Sequence, residues 1–163
     1  MKKFLALILA LVMALSLVAC GGGNDTPDNT DEPDDTAAKV KVGFITLHDE
    51  NSTYDLNFIN GAKEAIANLG LTDADYILKT NVPEGQECYD TAMDLVDEGC
   101  NIIFADSFGH EPFMIDAAKE HPEVQFCHST GTRAHTEGLA NYHNAFASIY
   151  EGRYLAGIAA GMK

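Results

Sequence analysis

Apolar positions along this chain switch repeatedly between two spacings. Residues 39–47 (KVKVGFITL) are β-branched and almost continuously apolar, the pattern of a parallel strand covered on both faces. After a short polar run, Ile59, Ala62, Ile66 and Leu69 recur at helical spacing and predict the buried stripe of a helix that Gly70 stops. Ser52 or Thr53 can cap that helix, and Ser52 and Asp55 stand at capping-box spacing. The alternation then repeats: 74–80 (ADYILKT) reads as a second strand, 85–99 as a helix with Cys88, Ala92, Leu95 and Val96 inward, and 101–106 (NIIFAD) as a third strand. Pro112 stands where another helix can begin, residues 113–120 continue it and Pro122 lies beyond its end. Residues 123–129 and 139–146 supply two more strands, and 147–163 a last helix rich in small residues.

Strand and helix in this regular order predict an α/β fold, an open, doubly wound and mostly parallel sheet. Such sheets take ligands beyond the carboxyl ends of their strands. That rule selects four loops, residues 48–54, 81–85, 106–110 and 128–133.

The first 38 residues depart from the alternation. Two lysines, an unbroken apolar run and small residues before Cys20 make residues 1–19 a secretory leader, too short in its apolar part for a spanning helix. Residues 21–38 hold six carboxylates, two prolines and no aliphatic residue larger than alanine, so they lack the apolar area to offset ordering entropy and read as a self-repelling tether. The formal charge of the whole chain is −15, and without Lys2 and Lys3 of the leader it becomes −17. Nucleic acid and anionic headgroups are poor partners for such a surface. The remaining residues, 39–163, suffice for one domain with a core. Apart from Cys20, the cysteines are Cys88, Cys100 and Cys127, an odd number placed at positions too far apart along the predicted elements to bridge, and free buried thiols are expected.

Motifs narrow the chemistry. No G-x-G-x-x-G follows the first strand, and neither a phosphate-cradling G-x-x-x-x-G-K-[ST] nor a G-x-S-x-G nucleophile turn occurs. No two of the six histidines stand at the i, i+4 spacing of a zinc protease helix, although His48, His110 and His128 fall near the ends of predicted strands. Tyr54 and Asp55 open the first helix: an aromatic face can stack on a flat ring, and a carboxylate accepts hydrogen bonds from hydroxyl or N–H groups. A plainer role for the same pair is to staple the helix and serve its dipole. Asp106, Ser107 and Phe108, just past the third strand, carry the same two readings.

Three segments together are similar to a known family. Residues 42–65 (VGFITLHDENSTYDLNFINGAKEA), 101–131 and 141–162, with the EGRYLAG run at 151–157 and HPEVQF at 121–126, resemble the basic membrane protein family of ABC-transporter substrate-binding lipoproteins, which includes a bacterial purine nucleoside receptor. The ending SLVAC before three glycines is similar to a lipobox, which implies lipidation of Cys20 after cleavage behind residue 19. The family pattern places a phenylalanine against the base and an asparagine beside it. Counted back from Gly61, those positions are Tyr54 and Asp55 here, a departure at both. The resemblance implies an extracytoplasmic, membrane-anchored binding protein, no enzyme, without cofactor or metal, that hands a nucleoside-like solute to an ABC permease. Tyr54, Asp55, Asp106, Ser107, Phe108 and His48 would form its ligand site. A sugar or autoinducer receptor, a hydrolase lobe using His48 or His128, and an inactive fragment are the alternatives. It further implies a two-lobed fold of the type I periplasmic-binding kind, about twice this length. Residues 1–19 are thus expected to be signal peptide, 20–38 lipidated tether and 39–163 the N-terminal lobe, with the C-terminal lobe missing or truncated and binding by one lobe correspondingly weak.

Overall fold

A computed structural model describes residues 39–163; the leader, Cys20 and the acidic tether lie outside the described residues. Five parallel strands, β1 (Val42–Ile45), β2 (Tyr76–Lys79), β3 (Ile102–Ala105), β4 (Gln125–Ser129) and β5 (Tyr142–Ala145), lie in the order β2-β1-β3-β4-β5. The helices between them are α1 (Thr53–Asn68), α2 (Gln86–Asp97), α3 (Glu111–Glu120), entered through a 3-10 turn at Phe108–His110, and the short α4 (Ala134–Glu137); α5 (Ile149–Gly161) follows β5. The chain steps from β1 outward to β2 and then back across β1 to β3, so right-handed crossovers put α1 on one face and α2 and α3 on the other. The predicted doubly wound sheet is thus observed, entirely parallel.

The main core lies on the α2 and α3 side. Ile45, Ile103, Ala105 and Phe126 of the sheet pack against Cys88, Ala92 and Leu95 of α2 and Met114, Ile115, Ala117 and Ala118 of α3. Gly43 lets α2 come close to the central strand, since a Cβ there would lie 2.9 Å from a Leu95 methyl. On the opposite face Phe44 and Phe104 stack at 5.5 Å, and a cavity of about 390 Å³ runs between this face and α1. Every residue of α5 is exposed.

The structure differs from the periodicity in three places. Leu69 is 71 % exposed and caps the helix end, because α1 stops at Asn68, one residue short of the stripe's last position. The strands are shorter than their apolar runs: residues 139–141 lead into β5, with the Asn141 side chain bonded to the carbonyls of Ala118, His121 and Val124. Helix α4 was not expected; a single turn leaves no periodicity to read, and Gly138, at φ 67°, ends it. Cys88, Cys100 and Cys127 are free, and burial pushes the Cys88 thiol up to about 12.

Candidate functional site

The carboxyl ends of β1 and β3 stand side by side at the centre of the sheet, and the loops that leave them bring the candidate residues together. Consecutive amides of the first loop bind two different carboxylates: the Leu47 N–H donates to Asp106 Oδ1 at 3.2 Å and the His48 N–H to Asp55 Oδ1 at 3.0 Å. Asp55 is therefore drawn inward. Its Oδ2 accepts from the Ser52 hydroxyl at 2.5 Å and lies 3.1 Å from His48 Nδ1, while the Asp55 N–H donates to Ser52 Oγ at 3.3 Å. Ser52 caps α1 as its spacing predicts, but the acid closes the box on the hydroxyl and on His48, because the Ser52 N–H is already bound to the Asp49 carbonyl.

The six expected ligand residues divide by depth. Asp55 and Asp106 are 1 % and 2 % exposed, and Ser107 is buried. The Tyr54 and Phe108 side chains are exposed, and so is His48. The Tyr54 hydroxyl donates to the Asp106 carbonyl at 3.2 Å and its ring lies 5.0 Å from Phe58, so the ring is braced across the end of β3. Ser107 Oγ donates to Glu84 Oε1 at 2.5 Å, and the Gly109 N–H donates to the same oxygen at 2.9 Å. Glu84, in the loop after β2, thus holds the Phe108 turn in place; a lone loop carboxylate gives no sequence signal, and its role was not foreseen.

The two buried acids sit in opposite electrostatic states. For Asp55, burial works to raise the pKa, but the Ser52 hydroxyl and the His48 amide outweigh it and bring the carboxyl to about 2. For Asp106, burial and the neighbouring Asp55 charge act together and push it up to about 7. Among the described residues no lysine or arginine is paired with either acid, and His48 meets only Asp55. His110 and His128 are fully buried, and burial lowers both. Each meets a carbonyl through Nε2, Val82 at 2.9 Å and Ser107 at 2.5 Å, so that nitrogen carries the proton and donates. His128 is thereby a brace for the Ser107 turn, enclosed away from solvent. Among the described residues no group of three or more His, Cys, Asp and Glu side chains is gathered to hold a metal. No helix among them is long and apolar enough to cross a membrane.

Residues 42–163 match the family described as ABC transporter substrate-binding protein PnrA-like. A purine-binding protein of Brucella abortus is 32 % identical over 125 residues, which cover 75 % of this chain and 34 % of the relative. A putative ABC transporter glucose-binding protein of Haloferax volcanii is 40 % identical over 62 residues, 38 % of this chain and 15 % of that protein. Among solved structures, an ABC transporter solute-binding protein from Conexibacter woesei superposes with a TM-score of 0.57 at 16 % identity, covering 66 % of this chain and 35 % of its own. The chain spans about a third of the length of the Brucella relative.

Proposed function

Because the chain belongs to the family of PnrA-like ABC transporter substrate-binding proteins, we propose that it captures a nucleoside-like solute outside the cell and presents it to an ABC permease, leaving the solute unchanged. The observation that supports this reading is the division of the site by depth: the Tyr54 and Phe108 side chains are exposed, the Tyr54 hydroxyl bonds to the Asp106 carbonyl, and the Asp55 and Asp106 carboxyls are buried at the end of the central strands. A flat base stacks on the rings and its polar edge turns toward Asp106. Asp55 acts behind Asp106, fixing the loop that carries both contacts, and Glu84 and Ser107 hold the Phe108 wall. The purine-binding relative supports this choice of solute. In a full-length, two-lobed protein that carries this lobe, Tyr54→Ala is expected to weaken nucleoside binding by about 1–3 kcal/mol, the scale of base-on-aromatic stacking. Calorimetry with adenosine and guanosine checks it, and unchanged affinity moves the site elsewhere.

A sugar is the second reading, supported by the glucose-binding relative from Haloferax. Hydroxyl groups also suit carboxylate acceptors, so a panel of nucleosides and hexoses separates the two: competition by glucose and none by nucleosides would favour the sugar.

We also propose that Cys20 carries a lipid and anchors the protein on the extracytoplasmic face of the cell membrane, with residues 21–38 as the tether. Each buried acyl methylene adds about 0.8 kcal/mol of membrane affinity. Expressed with its leader, the protein should sediment with membranes, and Cys20→Ser should release it or block its processing. Fully processed Cys20→Ser that stays on the membrane would rule the anchor out.

A further inference from the structure

Asp106 has one oxygen committed and one left over. Oδ1 accepts from the Leu47 amide, whereas Oδ2 is buried and finds no donor among the described residues, the side chain beside it being the Asp55 carboxylate. A buried oxygen in that condition normally finds a donor. The side chain lines the polar end of the cavity below α1, beside Thr46 and Ser129, and the exposed Tyr54 ring bridges to its backbone carbonyl. The neighbouring carboxylate, Asp55, is saturated by Ser52 and His48 and has nothing to donate.

Two carboxylates held by consecutive amides in a buried setting cannot both ionise cheaply, and the one with fewer donors keeps a proton. Every other group facing Asp106 leaves that imbalance in place. From α1, Tyr54 is held neutral by a raised pKa, and from α2, so is Cys88. Burial lowers His128 on β4 and His110 in the 3-10 turn, which favours the uncharged imidazole, and Glu84 is an anion bound to Ser107 and Gly109. His48 spends its Nδ1 on Asp55.

We propose that Asp106 holds one exchangeable proton against Asp55 until a solute binds, and that a solute N–H group takes the proton's place at Oδ2, so that loading the site releases a proton. The Asp106 O–H bond breaks, its electron pair stays on Oδ2 and the proton passes to buffer; the solute N–H then donates to the carboxylate. The solute class selected is a flat heterocycle with a ring N–H or amino edge, and the choice of Asp106 as the receiving group rests on the function proposed above. Affinity for such a solute rises with pH and levels off once Asp106 ionises unaided. A solute that offers only acceptor atoms would show the reverse.

The test follows the Asp106 carboxyl carbon by NMR in the full chain from about pH 4 to about pH 9, alone and with millimolar guanosine, with Asp106→Asn assigning the signal. Tyr54 ring signals report whether guanosine is seated. A midpoint near neutral that falls by about one pH unit, a tenfold change in proton affinity, when guanosine is seated upholds the proposal. An ordinary carboxyl midpoint in the chain alone overturns it, and so does a midpoint that stays or rises while Tyr54 responds. If Tyr54 does not respond, the nucleoside reading fails by itself, and benzamidinium, a flat ring with an N–H pair, decides in the same way: a falling midpoint upholds the displacement and an unmoved one overturns it.

Discussion

Asp55→Ala should lower the unfolding free energy by about 2–4 kcal/mol at neutral pH, although no residue of the main core is touched. The carboxylate satisfies the Ser52 hydroxyl and the His48 amide from a position 1 % exposed, so truncation leaves two donors without their acceptor and removes the side chain that closes the helix cap. Hydrogen bonds to charged groups contribute about 1.5–3 kcal/mol each, while the cap bond from the Asp55 amide to Ser52 remains. Relief of the neighbouring Asp106 offsets part of that loss, which sets the range. The effect has a defined pH dependence. Because the folded carboxyl sits near 2 against an ordinary value of 3.8, its contribution is present above the unfolded value and is lost as pH falls through about 2. Urea denaturation at neutral pH and again in acid checks both parts: the gap between wild type and Asp55→Ala should narrow in acid, and an equal gap throughout would show that the charge contributes nothing.

Phe126→Ala should cost about 3–5 kcal/mol, the range for deleting a large aromatic side chain from a close-packed interior. Phe126, the second residue of β4, is 0 % exposed and sits in the cluster that joins the sheet to α2 and α3. Its amide donates to the Asn141 carbonyl whatever the side chain, so the strand pairing survives and the loss is one of packing. The denaturation midpoint should fall with little change in slope. A loss below about 1 kcal/mol would mean that the sheet and α3 collapse into the space.

Legibility in the sequence followed the physics of each feature. The central strands β1, β3 and β4 write themselves as apolar runs, and the partly exposed edge strands β2 and β5 were placed by the alternation with helices, though with ends set by loop bonds such as those of Asn141 that leave no periodic trace. The stripe of α1 was legible at Ile59 and Ile66 and failed at Leu69, where the helix had ended. At the site, topology alone brought the loops of residues 48–54 and 106–110 together, because β1 and β3 are neighbours. What the sequence leaves unwritten is depth. Tyr54 and Asp55 are adjacent letters, yet one ring faces solvent and the next carboxyl is sealed, a division made by the Ser52 and His48 bonds. Likewise Glu84 and Ser107 are separated by 23 residues and meet only because two loops converge.

The helix that carries Tyr54 and Asp55 at its head lies along the cavity of about 390 Å³, whereas α2 and α3 are sealed against the sheet. Local opening free energy follows buried apolar contact, so the segment from residue 53 to 68 forms the least protected cooperative unit among the long helices packed on the sheet, and its amides exchange with solvent through a smaller fluctuation than those of the opposite layer. A solute seated on Tyr54, as proposed above, would therefore tighten the part of the lobe with the most freedom to lose. Part of its binding energy would go into ordering that helix, and a second binder favouring the ordered helix would meet less resistance than the first.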